Sequence, residues 1–169
     1  MIFDPTTFVG FHTLISLIAL ASGVVVILGL LRSRTLGPIT ALYLATAVAT
    51  SATGFGFPFT KFLPSHAVGI ISLVALLAAI LARYVYRYAG AWRRIYVVGV
   101  VSSVYLDAFV AVAQAFGKIP ALKALAPTGT ETPFALAQGI VLVLFVVLGI
   151  AALRSFRPQS GSRGIRGMR

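Results

Sequence analysis

Apolar residues run almost unbroken through five segments of this chain, roughly residues 8–31, 38–55, 66–83, 95–116 and 134–153. A helix needs about 20 apolar residues to cross the hydrocarbon core of a bilayer. The pattern predicts an all-α fold: a polytopic membrane helix bundle with five transmembrane helices in a single domain, residues 1–153. The second and third segments are short and depend on their flanks or on local thinning of the bilayer. A four-span reading would demote one of them. Turn chemistry separates the segments. Pro38 and Pro133 sit at helix starts, where a missing N–H costs nothing. The run GFGFPF at 54–59 ends the second helix, and Ser65 is a candidate N-cap for the third.

The charges between the runs are distributed unevenly, and this predicts an orientation. Arg32, Arg34, Arg83, Arg87, Arg93, Arg94, Arg154, Arg157, Arg163, Arg166 and Arg169 all fall on one side of the predicted bundle. The other side holds Lys61, Lys118 and Lys123, with Asp4 and Glu131. Basic residues favour the cytosolic side, so the N-terminus is expected outside and the C-terminus inside. The start of the chain has no Lys/Arg n-region, and the first apolar run is too long for a signal peptide, so it is read as a retained span. Aromatic residues crowd two junctions: Phe55, Phe57, Phe59 and Phe62 at one, Tyr84, Tyr86, Tyr88, Trp92 and Tyr96 at the other. Rings in such places are expected first as headgroup-depth anchors. Residues 154–169, rich in Arg, Gly and Ser, are expected to form a disordered basic cytoplasmic tail that attracts anionic lipid. The loop 117–132 serves as a connector or as a lid, with a helical turn or two near 121–126.

Composition agrees and excludes several classes. The chain is 59% hydrophobic and only 10% charged, whereas soluble domains carry about 25% charged residues. A bilayer resolves the excess of apolar surface. The net charge of +11 does not mark a nucleic-acid binder, because the basic residues lie between and after the apolar runs and no aromatic-basic RNA motif occurs. The absence of cysteine excludes disulfides, zinc-thiolate sites, iron–sulfur clusters and thiol catalysis. No nucleotide-binding loop, HExxH or nucleophile–base pattern is found. There is no convincing inverted repeat, and five spans do not divide into equal halves, which weighs against a transporter working alone.

The candidate chemistry lies in the few polar residues of the spans, where each needs a partner or a task. His12 and His66 are the only histidines, both near the outer side at similar depth. Their helices continue with small residues, Ser16, Ala19 and Gly23 in the first, Gly69, Ser72 and Ala75 in the third, as in closely packed membrane helices. His12 and His66 are therefore the candidate ligands of a single haem b, with Ser16, Gly69 and Ser72 lining its slot. Asp107 is the only acid inside a span, and Ser103 and Gln114 share its helix face. An acid near the bilayer centre costs about 2.5–3.5 kcal/mol on insertion scales. Thr50 in the second helix and Gln138 in the fifth add polar atoms to the same outer half. This set admits a proton site at Asp107, a quinone between His, Asp and Gln, or plain interhelical hydrogen bonding. A transition-metal site is not expected, because His12, His66 and Asp107 would be its whole ligand supply.

Residues 53–59 (TGFGFPF), 63–70 (LPSHAVGI) and 126–134 (APTGTETPF), together with Gly10-Phe11-His12, resemble a family of small multi-span bacterial inner-membrane proteins of unknown function. The resemblance covers most of residues 9–153. It implies five spans in a bacterial inner membrane and carries over no catalytic residue. The placement of the two histidines also resembles, more loosely, that of b-type membrane cytochromes, although only one haem could be held. Three functions follow as expectations: a haem- or quinone-binding module, a non-enzymatic scaffold or accessory subunit beside a membrane-protein partner, and a proton-coupled carrier subunit using Asp107.

Overall fold

A computed structural model of the chain describes residue 4, residues 6–58 and residues 64–158. The expected tail residues 159–169 and the expected anchors Phe59 and Phe62 lie outside the described residues, as does Lys61. The fold is all-α, with no strand among the described residues. Its helices are α1 (Phe8–Leu31), α2 (Gly37–Thr53), α3 (Pro64–Ile80), α4 (Trp92–Lys118), α5 (Pro120–Leu125) and α6 (Thr132–Ser155).

Five helical segments are long and apolar enough to cross a membrane. The two short runs gain their length from tighter and wider helical turns. A 3₁₀ turn, Gly54–Gly56, extends α2, and a π turn, Leu81–Val85, extends α3. The segments become Gly37–Gly56, of 20 residues, and Pro64–Val85, of 22 residues, so the five-span reading stands by length and the four-span alternative falls away. The remaining ends also run past the apolar pattern. Helix α4 begins three residues before 95, and α6 begins two before 134 with Pro133 in its first turn, where a missing N–H costs nothing. At the start of α1, the Thr7 hydroxyl accepts the Gly10 N–H (3.0 Å), a side-chain N-cap.

Short connections make neighbouring helices antiparallel. One end of the bundle carries His12 and His66, the other most of the arginines; these are called the histidine end and the arginine end. Helix α4 is the central element, packing on α3, α6 and α1, while α2 packs on α1 and α3. The core holds Ala19, Val26, Ile27 and Leu30 of α1, Tyr43 and Ala47 of α2, Leu76 and Ala79 of α3, and Val97, Val100 and Val104 of α4. Helices α3 and α4 approach closely at Gly99. A Cβ there would lie 2.7 Å from the Ala75 carbonyl oxygen and 3.2 Å from the Ala79 Cβ. Small residues thus set the crossing, as membrane helix packing requires. Helix α6 is the least enclosed of the five, and its face Ala135, Gly139, Val143 and Val147 is open and apolar.

The structure departs from the sequence expectation at the arginine end. The sequence closes the last span at 153 and expects disorder beyond it. Instead, the helix runs to Ser155 and the chain continues into a docked turn, with Phe156 fully buried. Phe156 packs edge-on against Tyr88 (5.6 Å between centroids) and near Tyr96 (5.7 Å). Arg93 Nη1 donates to the carbonyls of Leu153 (3.1 Å) and Phe156 (2.6 Å), satisfying the last turn of α6. The rings expected as anchors divide. Tyr84 and Tyr86 are exposed, whereas Tyr96 is buried and Tyr88 half-buried. Burial and the neighbouring Tyr96 push the Tyr88 phenol above its ordinary pKa, although Arg83 donates to its oxygen at 2.7 Å.

Candidate functional site

The two histidines are brought to the same turn but not to each other. His12 Nδ1 is bonded to Thr53 Oγ1 (2.8 Å), and Phe57 meets its ring edge-on at 5.0 Å. His66 is buried, with Phe55 stacked on its face at 5.6 Å and an interplanar angle of 17°. Phe55 and Phe57 belong to one tight turn at the end of α2. That turn places a ring against each imidazole, Phe57 on the edge of His12 and Phe55 on the face of His66. The residues proposed to line the slot are likewise engaged. Gly69 gives its space to Phe55, since a Cβ there would be 3.1 Å from the ring. Ser72 Oγ accepts from Ser51 Oγ (3.1 Å), joining α3 to α2, and Ser16 Oγ donates to the His12 carbonyl of its own helix (2.7 Å). Axial ligation needs imidazoles facing each other across an apolar slot. The arrangement His12, His66, Ser16, Gly69 and Ser72 does not fit it.

A quinone site would need His, Asp and Gln on one face, and they do not converge. Gln138 Nε2 donates to the Phe109 carbonyl (3.0 Å). Residues 107 and 109 differ by about 200° around a helix turning about 100° per residue, so Gln138 meets α4 on a side other than the one Asp107 occupies. Gln114 shares the Asp107 face but is exposed. Among the described residues, no three of His, Asp and Glu gather as metal ligands.

What does gather is a smaller set between α1, α2 and α4. Tyr43, fully buried, is bonded through its hydroxyl to Ser103 Oγ. Asp107 lies one turn further along α4. Thr50 lies two turns beyond Tyr43 on the same face of α2. By the rise of about 1.5 Å per residue, Thr50 and Asp107 stand within about 5 Å of one depth. Thr50 Oγ1 and Asp107 Oδ2 are buried polar atoms without a hydrogen-bond partner, as is Gln138 Oε1 on α6. Thr46 and Thr53 turn their hydroxyls back to the carbonyls of Leu42 and Ala49, the usual solution on a helix. Thr50 does not. Nothing in the sequence pattern singles out Tyr43, a lone aromatic in an apolar run, and only its contact with Ser103 reveals it.

At the histidine end, α5 and residues 126–131 fold back over α4. Phe116 and Phe134 meet edge-on at 5.4 Å, and Ala126 is buried. Glu131 organises this turn. Its carboxylate accepts the N–H groups of Thr128 and Thr130 at 3.0 Å each, together with the Thr128 hydroxyl at 2.9 Å. The Thr128 N–H above all holds the Glu131 carboxyl well below its ordinary pKa, at about 2.

Taken together, the geometry defines a five-helix apolar bundle with a small buried polar site. No family model, curated protein or solved structure matches the chain.

Proposed function

We propose that this chain is an integral membrane protein with its N-terminus outside and its C-terminus in the cytosol, and that it serves as a proton-coupled carrier subunit with Asp107 as its protonatable group. The orientation rests on the eleven arginines that fall at one end, against three lysines at the other. A bacterial inner membrane is the proposed location, on the resemblance of the loop motifs.

One observation carries the functional reading: Asp107 Oδ2 and Thr50 Oγ1, like Gln138 Oε1 on α6, are buried without hydrogen-bond partners, and Asp107 alone of the three is a carboxyl. An unsatisfied buried polar group costs about 1–3 kcal/mol, so a site that retains two of them suits a task. A carboxyl can take up and release a proton, and a hydroxyl can donate to its ionised form and accept from its neutral form. Asp107 stands one turn along α4 from Ser103, whose bond to Tyr43 forms a polar floor beneath it. The fifth-helix Gln138 and the histidines lie outside this site.

The test is proton uptake into proteoliposomes carrying a pH-sensitive dye, under an imposed potential. Wild type is expected to conduct, Asp107→Asn to lose uptake while keeping its fold, and Thr50→Val to reduce it. Equal uptake by wild type and Asp107→Asn overturns the carrier reading. A second reading, that of a packing scaffold, is favoured by the His12–Thr53 and Ser51–Ser72 bonds, which join helices with no orphaned atom. In that case Asp107→Asn would change thermal stability and leave cellular activity intact. A reporter fused after Arg169 that is active only outside the cytosol would refute the orientation.

A further inference from the structure

The fold gathers basic residues from two distant parts of the chain at one corner of the arginine end. Ser33 lies in the connection between α1 and α2, with a left-handed φ of 52°. Its hydroxyl donates to the Arg157 carbonyl (2.9 Å) and accepts the Arg157 N–H (2.8 Å). Two segments 124 residues apart are thereby locked together. Arg32 and Arg34 each sit one peptide from Ser33, so the pair of bonds brings the backbones of three basic residues to one corner. All three are exposed, and so is Arg154, about one turn before Arg157.

These arginines differ from others at the same end. Arg93 is spent on two backbone carbonyls and Arg83 on the Tyr88 hydroxyl. The acidic side chains of the chain are elsewhere: Asp4 and Glu131 belong to the histidine end and Asp107 to the middle of α4. A specific pair of hydrogen bonds thus collects like charges with no acidic side chain at hand to offset them. Such an arrangement is relieved by an anion. Guanidinium groups match phosphate oxygens through paired N–H donors.

We infer that this corner binds the phosphate of an anionic phospholipid headgroup. The inference rests on the membrane placement proposed above. A lipid is favoured over free phosphate because the corner stands where α1 and α6 end, and exposed Leu28 and Ile150 continue from it as an apolar wall for acyl chains.

The test uses the full-length protein purified in a neutral detergent, with thermal unfolding followed as lipid is added. A ligand of the native state raises the unfolding temperature. Phosphatidylglycerol is expected to raise it by several degrees, with phosphatidylcholine and inorganic phosphate having little effect. The R32Q/R34Q/R157Q variant is expected to lose the shift, and R163Q/R166Q/R169Q to keep it. Ser33→Ala, which leaves every arginine in place but releases the lock, is expected to move the response to higher lipid concentration. An unchanged shift in R32Q/R34Q/R157Q overturns the site, as does an unchanged dose response in Ser33→Ala. A full shift with inorganic phosphate alone overturns the lipid assignment. Protein that leaves the membrane fraction without detergent refutes the membrane placement itself, separately from these outcomes.

Discussion

Gly99→Ala provides a direct test of how the bundle is held together. The added methyl would lie 2.7 Å from the Ala75 carbonyl oxygen, where ordinary contact begins near 3.4 Å. That oxygen is part of the α3 backbone and cannot rotate away, so α3 and α4 must separate by roughly 0.7 Å, the difference of the two distances. Overpacking of this kind costs about 1–3 kcal/mol. The substitution also removes a helical glycine, which by itself favours the helix by up to about 1 kcal/mol. Gly139→Ala isolates that second effect, because a Cβ at Gly139, also within a helix, meets nothing within 4 Å. For a chain of this size, about 2–4 °C accompanies each kcal/mol. Gly99→Ala should therefore unfold roughly 2–12 °C below Gly139→Ala. Circular dichroism of the two variants in detergent measures the difference. Equal unfolding temperatures would refute the claim that α3 and α4 touch through backbone at this crossing.

Two further outcomes follow from features at the ends. The depressed Glu131 carboxyl favours the folded turn above the ordinary carboxylate pKa of 4.5, and this contribution is lost as the pH falls toward about 2. Protection of the Thr128 and Thr130 amides, measured relative to intrinsic exchange at each pH, should fall across that acid window, and Glu131→Gln should abolish that fall. Phe156→Ala should lower stability by about 3–5 kcal/mol, the cost of emptying a large buried aromatic site. Thermal unfolding would show it, and a surface-like change below about 0.5 kcal/mol would mean that the chain after α6 is not docked.

The helices were legible because hydrocarbon-length apolar runs leave little choice of structure. The ends of the second and third were less so: the glycines at 54 and 56 read as a stop, yet they form a 3₁₀ turn that lengthens α2, and the π turn at Leu81–Val85 carries no distinctive residue. The depth of His12 and His66 could be read from their positions. The direction in which each ring faces could not, since it depends on where the turn after α2 puts Phe55 and Phe57. Asp107 and Thr50 were visible as polar residues in apolar runs, but grouping them with Gln138 and Gln114 required angular information that spacing within one helix does not give. The Phe156 anchor was hidden by its setting. A single aromatic among Arg, Gly and Ser reads as part of a tail until Tyr88 and Tyr96 are seen closing around it.

Helix α6 rests mainly on α4 and leaves most of its circumference uncovered. The α1–α4 contacts are made without it. Synthesis also delivers the segments in that order, so a four-helix body can close before the last segment emerges from the ribosome. Assembly and unfolding then have a natural seam along α6, pinned at its arginine end where Phe156 is held between Tyr88 and Tyr96.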